Sequence, residues 1–297
     1  MTIETTTLPA ACLRLQETHG CQGGAHAGYR RVGWDVDGVD INTAHARYYP
    51  GHLRIGDAAT MIRQHGHEYH ARHASPPCQW YTRGNAPRRG ETTKWERTIP
   101  PIREALESVE GPYVIENVKD AVWDLRDPIL LCGCMFGLSA RDFTCTAVSH
   151  EDRLAHLTAG ACNNLNGIEV HLQRPRLFEV NWPIPGLVKQ EIRVRGVDYV
   201  VRSPRACDHS AHKWVAGAYG GARRDKYEAK YVRKGGYVPP SKALVQRLLG
   251  FTPADREGAT KAEQTWEGLF ECLPPAYTEW VGTQLAAHLT GRAAVAA

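Results

Sequence analysis

The chain has no apolar run approaching the roughly 20 residues that a membrane helix requires, so a helical span is not expected. Its start, Met1 to Pro9, is rich in Thr and carries Glu4, and it lacks the charged-then-apolar arrangement of a secretory signal. A cytoplasmic protein is therefore expected. Internal repeats and low-complexity segments are absent from the sequence, and so is any Cys-x-x-Cys pair. The nine cysteines, at positions 12, 21, 78, 132, 134, 145, 162, 207 and 272, form an odd set at irregular spacing, which argues against a disulfide framework. Most are expected to be inert core thiols.

What is present is room for a full core. A chain of 297 residues accommodates a catalytic domain of roughly 200 residues plus a smaller unit. The formal charge of +4 is modest but unevenly spread. Between Lys189 and Lys242 there are 13 Lys/Arg against 5 Asp/Glu, so this segment carries +8 and the rest of the chain −4. A local basic cluster is the footprint of phosphate contacts, although a solvated loop face has the same composition.

The first 130 residues alternate short apolar runs, Gly-rich turns and helical stretches, the β-α-β rhythm of a doubly wound α/β sheet. Strands are expected at Ala11 to Gln16 and Trp34 to Ile41, joined by a glycine turn at Gly23-Gly24 that opens a helix. A second unit runs from a helix over Ile102 to Val109, through Gly111-Pro112, into a strand at Tyr113-Val114-Ile115 that ends on Glu116. Ligands of such sheets sit beyond the C-terminal strand ends. From Leu138 to Leu172 the pattern is irregular. Residues from Trp182 to Pro240, rich in Gly, Pro, Arg and Lys, read as a separate small lobe. Helical patterning returns at Ser241 to Leu249 and at Glu279 to Leu289. The expected division is 10–180 for a catalytic domain, 181–240 for a basic lobe and 241–297 for a segment returning to the catalytic domain.

Three peptides carry chemistry. In Ser75-Pro76-Pro77-Cys78-Gln79, two prolines fix the backbone before a thiol, which aims it into a cleft; a Pro-rich turn with an incidental cysteine is the bland alternative. Glu116-Asn117-Val118 stands where the ligand edge of the sheet should be, although a lone carboxylate there is often a cap. In Gln173-Arg174-Pro175-Arg176-Leu177-Phe178, alternation on an extended segment puts both guanidinium groups on one face.

In this order and spacing, the three peptides resemble the DNA cytosine-5 methyltransferases, which carry Pro-Cys, Glu-Asn-Val and Gln-Arg-x-Arg-x-Phe/Tyr. The resemblance covers most of the chain, since Val238 to Phe251 and Leu273 to Leu289 are similar to the family's closing segments, and the short recognition region is similar to that of compact phage or prophage members. It implies a Rossmann-like sheet dependent on S-adenosylmethionine, with a small recognition lobe acting on double-stranded DNA. The target cytosine leaves the stack. Cys78 would add as thiolate to carbon 6. Glu116 would hold ring nitrogen 3 and the exocyclic amine. Arg174 and Arg176 would grip the flipped nucleotide. Pro77, Gln79 and Asn117 would line the base, and the loop from Gln79 to Gly90 would close over it. No residue is identified as the base that removes the carbon 5 proton. No membrane or obligate protein partner is implied, and a monomer is expected.

For the cofactor, Gly23 and Gly24 allow close backbone approach at the first strand-to-helix turn. Asp40, followed by Ile41, matches the acidic residue that holds a ribose. Asp57 resembles the contact to the adenine amine, and Thr278 in the final motif joins the set by resemblance. The family's Asp-Leu-Phe-x-Gly-x-Gly-Gly is replaced by Glu17-Thr18-His19-Gly20-Cys21-Gln22-Gly23-Gly24. His19 and Cys21 are either tolerated drift or a pocket reshaped for a modified one-carbon donor.

A second departure is the insertion between Leu138 and Gln173. It holds Cys145, His150, His156 and Cys162, while the later lobe holds Cys207, His209 and His212. Either set could ligate zinc, but without paired spacing no metal is assigned. Within the basic lobe, Tyr219 to Lys226 is expected to touch groove and phosphates through Arg223, Arg224 and Lys226. Competing readings are the same chemistry on tRNA and a catalytically silent DNA-binding homologue.

Overall fold

Glycine turns and short β-branched runs fold as the rhythm predicts. In the computed structural model, which describes residues 13–82, 95–142, 168–210, 212, 214–218 and 241–291, the chain opens with β1 (Arg14–Thr18), α1 (Gly24–Arg31), β2 (Asp35–Asp40) and β3 (Leu53–Ile55). It continues with α2 (Ala58–His65), β4 (Ala71–Ala74), α3 (Ile99–Glu107), β5 (Tyr113–Val118) and β6 (Ile129–Leu131). Then come β7 (Ser139–Asp142), β8 (Ile168–Leu172), β9 (Arg176–Val180), β10 (Val188–Val194), β11 (Val197–Ser203) and β12 (Val215–Ala216). Helices α4 (Lys242–Leu248), α5 (Trp266–Glu271) and α6 (Pro275–Thr290) close it.

Nine strands form one sheet in the order β10-β11-β6-β9-β5-β4-β1-β2-β3. The strands from β5 to β3 run parallel, and β9 enters antiparallel between β5 and β6. Neighbouring residues of β5 face opposite layers, as the strand period of two requires. Ile115 packs with Ile62 of α2 and Ile102 and Leu106 of α3, whereas Val114 packs with Tyr29 of α1 and Tyr277 and Val281 of α6. Helices thus cover both faces, which makes the sheet Rossmann-like and doubly wound.

The hairpin β10–β11 corrects one expectation. Residues 181–240 are expected to form a separate lobe, yet within them β11 runs beside β6 and extends the central sheet, with Arg202 N donating to Pro128 O at 3.1 Å. Val194 pairs with Val197, and the two turn residues Arg195 and Gly196 both have positive φ (53° and 87°), the geometry that matches the twist of a tight hairpin. The smaller unit is built elsewhere. It is a three-stranded sheet, β12-β8-β7, whose Val170, Leu172 and Ala216 pack against Leu244 and Leu248 of α4 and Leu269 of α5.

Helix α6 lies against α1 at a point where only glycine fits. A Cβ on Gly28 would fall within the envelope of the Pro275 carbonyl oxygen and Thr278 Oγ1. Alanine normally gains about 0.5–1 kcal/mol over glycine inside a helix. Here overpacking against backbone, about 1–3 kcal/mol, opposes and exceeds that gain. Gly28→Ala is therefore expected to lower the urea midpoint, and an unchanged or higher midpoint would show that the two helices part freely.

Candidate active site

The thiol of Cys78 is placed by the turn that follows β4. Asn117 at the end of β5 donates from Nδ2 to Pro76 O at 2.8 Å, and Thr98 donates from Oγ1 to Pro77 O at 2.9 Å. The Cys78 carbonyl accepts from Tyr81 N at 2.9 Å and Thr82 N at 3.1 Å. The Pro-Pro-Cys peptide is thereby anchored on both sides. Cys78 and Gln79 are half-buried, and Pro77 is exposed.

Glu116 on β5 and Arg176 on β9 face each other as a buried ion pair, Arg176 Nε to Glu116 Oε1 at 3.1 Å. The pairing register explains it. Glu116 stands opposite Phe178 and Val118 opposite Arg176, so the two side chains lie diagonally on one face of adjacent antiparallel strands. Burial pushes the Glu116 carboxyl up, while Arg176, a hydrogen bond from Ser75 and Arg174 oppose the shift. Burial also raises the Cys78 thiol, with Arg176 lowering it, Glu116 raising it and Arg174 lowering it. The thiol, the carboxyl and the two guanidinium groups share one electrostatic neighbourhood.

Arg174 differs from expectation. It precedes β9, is fully buried, and donates to Ala218 O at 2.7 Å, to Cys272 O at 3.1 Å and to Phe270 O. The two arginines have different partners, Arg174 the carbonyls of Ala218, Phe270 and Cys272 and Arg176 the carboxylate of Glu116. Thr278 is held within the helix layer. Its hydroxyl donates to Ala25 O at 2.9 Å, and it is sealed between α1 and α6.

At the C-terminal edge of β1 and β2, Asp40 accepts from Cys21 N at 2.9 Å and Asn42 N at 2.8 Å, so its carboxylate holds the glycine turn in place. Ile41 beside it is 74% exposed. Asp57 caps α2, accepting from Thr60 N at 2.9 Å and Thr60 Oγ1 at 2.7 Å, and those two bonds hold its carboxyl below the usual range. His19 and Cys21 adopt positive φ (62° and 48°), a conformation in which non-glycine residues are strained. Burial lowers the His19 imidazole to about 4, against opposing contributions from Asp40, a backbone hydrogen bond with Thr18 and Asp57, so it is neutral at physiological pH. Its Nδ1 is buried with no hydrogen-bond partner among the described residues. Gly23 has φ 83° and packs on Pro50, and Gly24 begins α1.

Several contributors escaped the sequence reading. Buried Glu17 accepts from Tyr49 OH at 2.6 Å and from the backbone of His26, and burial raises its carboxyl to about 8. Tyr81 donates to Asp124 Oδ2 at 2.7 Å, where Arg97 also binds with two nitrogens at 2.8 and 2.6 Å. Arg195 of the hairpin turn donates to Tyr81 O. Of these, only Tyr81 had a local signal, its place three residues after Cys78. Residues Arg223, Arg224 and Lys226, and positions 83–90 of the expected closing loop, lie outside the described residues.

No family model and no curated protein matches the chain. Among solved structures it is similar to a DNMT2 mutant from Spodoptera frugiperda, at 13% identity and TM-score 0.49 over 92% of this chain and 99% of that one. It is also similar to the Entamoeba histolytica methyltransferase EhMeth, at 13% identity and TM-score 0.46 over 93% and 98%. An Escherichia coli prophage protein described as a DNA modification methyltransferase gives 12% identity and TM-score 0.45 over 94% and 99%. At these values the functional argument rests on the residues themselves.

Proposed function

We propose that the chain transfers a methyl group from S-adenosylmethionine to carbon 5 of a cytosine flipped out of double-stranded DNA, through a covalent adduct at Cys78. The observation that carries this reading is the buried Glu116–Arg176 pair, held by strand register within electrostatic reach of an anchored thiol.

Carbon 5 of cytosine is too weak a nucleophile to accept a one-carbon group directly. Addition of the Cys78 thiolate to carbon 6 converts the ring to an enamine and makes carbon 5 nucleophilic. Negative charge then develops on ring nitrogen 3. Glu116, whose carboxyl is raised by burial, supplies a proton or hydrogen bond there and accepts from the exocyclic amine. Arg176 offsets the charge on both Glu116 and the thiolate. After transfer, loss of the carbon 5 proton expels Cys78 and restores the aromatic ring. The basic segment containing Arg223, Arg224 and Lys226 would supply phosphate contacts to the DNA.

The strand edge fits the donor. Asp40 suits a ribose, since each carboxylate oxygen keeps a lone pair beyond its backbone bond, Ile41 offers an exposed apolar face to adenine, and His19 follows β1 at the same edge. When bound, S-adenosylmethionine supplies an electrophilic methyl on a sulfonium. The strained, neutral His19 and Cys21 favour one second reading, a donor carrying an extra polar group on the transferred carbon.

Nucleoside mass spectrometry tests both. DNA from expressing cells, and DNA incubated with purified protein and S-adenosylmethionine, should each contain 5-methylcytosine. Unmodified cytosine in both, with DNA binding intact, would refute transfer, and a heavier cytosine found only in cells would establish the modified donor.

A further inference from the structure

Away from the thiol of Cys78, three cysteines and a histidine converge from two parts of the chain. Cys132 ends the extended segment after β6, and Cys134 follows in the short 3-10 turn Gly133–Phe136. Cys207 and His209 lie in the segment after β11. Cys134 Sγ is 3.4 Å from Cys207 Sγ, Cys132 Sγ is 3.3 Å from His209 Nε2, and Cys207 Sγ is 3.4 Å from the same nitrogen. All four donor atoms lie within 4.8 Å of one another.

We propose that Cys132, Cys134, Cys207 and His209 form a tetrahedral site for a structural zinc ion that joins the segment after β11 to the β6 end of the central sheet.

Geometry and donor chemistry both support this. Tetrahedral zinc with bonds of about 2.3 Å to sulfur and about 2.0–2.1 Å to nitrogen has donor–donor edges of roughly 3.5–3.8 Å, close to the separations observed. Sulfur–sulfur separations of this size are far beyond the roughly 2.05 Å of a disulfide, and the three cysteines are free. Thiols are weak hydrogen-bond partners for one another, so three of them meeting one imidazole nitrogen have their strongest common partner in a cation. Loading is balanced as one zinc ion taken up, three thiol protons released and a neutral imidazole retained, which leaves the site with one negative charge. A closed set of four protein ligands leaves no open position, the mark of a structural site.

The location gives the ion a task. Leu131, next to Cys132, is paired with Arg176 across β6 and β9. Cys207 and His209 begin the stretch that runs on to the basic residues 219–240. On the proposed DNA-binding reading of those residues, zinc would fix the start of the stretch that leads to them one residue beyond the strand position paired with Arg176. Sequence spacing assigned no metal because the two ligand pairs are separated by more than 70 positions, and Cys-x-Cys and Cys-x-His are each weak signals alone.

Metal content of the full chain, purified without chelators, tests the proposal independently of any methyl transfer. Wild-type protein is expected to carry one zinc per chain, and Cys207→Ser and His209→Gln to lose about nine-tenths of it. To keep the test independent of how the variants fold, the wild-type chain is also stripped with chelator and refilled with cobalt. The expected spectrum shows the strong visible bands of tetrahedral cobalt together with sulfur-to-metal charge transfer. A folded wild-type chain that holds no zinc and takes up no cobalt, or one whose cobalt spectrum lacks the thiolate band, would overturn the site.

Discussion

Cys78→Ala is expected to lower turnover by about three orders of magnitude or more while leaving DNA affinity within about twofold of wild type. The magnitude follows from the chemistry, since without the thiolate no enamine forms and nothing else among the described residues activates carbon 5. The unchanged affinity follows from the structure. The side chain is small and half-buried, and the turn around it is held through the carbonyls of Pro76, Pro77 and Cys78 rather than through sulfur. Single-turnover transfer and a binding titration at one salt concentration separate the two quantities. DNA carrying 5-fluorocytosine gives a further readout, because fluorine cannot leave as a cation and the adduct is trapped. Wild-type protein should form a denaturation-resistant conjugate and Cys78→Ala none. Equal product yield from the two proteins would remove Cys78 from the mechanism.

The second large effect concerns the Glu116–Arg176 pair, whose side chains are 8% and 9% exposed. Arg176→Ala leaves a carboxyl buried without its cation, which costs about 3–5 kcal/mol when a buried pair is broken on one side. The pH dependence has a definite sign. The Glu116 carboxyl is already raised above its ordinary value by burial, and removing the arginine that opposes this shift raises it further. A raised carboxyl contributes stability that is complete below its unfolded value and is lost as pH climbs through the folded one. The deficit of Arg176→Ala should therefore be small at about pH 5 and grow toward about pH 8 in urea unfolding. A deficit constant across that range would mean that Glu116 does not feel Arg176. Glu116→Gln preserves shape but cannot pass a proton to ring nitrogen 3. It should lose about 10²–10⁴-fold in kcat/KM and with it the alkaline limb of the pH profile.

The sheet was legible where each residue's role is decided by its neighbours in sequence. The runs 14–18, 35–40 and 113–118 bury their strands, and Gly23-Gly24 and Gly111-Pro112 punctuate them, so the first half of the fold follows from pattern. The hairpin β10–β11 did not. Lys189, Glu191, Arg193, Asp198 and Arg202 fill its alternate positions, and its turn is Arg195-Gly196 rather than Asn-Gly, so the segment looked like a charged lobe. Arg176 and Glu116 were recognisable by motif, but only strand register shows that they touch. Arg174 misled because alternation places an arginine on a face without revealing that the carbonyls of Ala218, Phe270 and Cys272 arrive there from far along the chain.

The placement of β9 also sets when the Cys78 site can first exist. Strands β5 and β6 precede it in the chain but touch through it, so during synthesis both wait as open edges until residues 176–180 emerge and slide between them. A one-residue slip in that insertion would turn Arg176 to the opposite layer and away from Glu116. A chain interrupted before β9 would hold Cys78 and Glu116 without their cation and expose an open edge of β5 and an unpaired β6, a species prone to aggregate. The topology thus makes chemical competence and a closed sheet arrive in the same folding event.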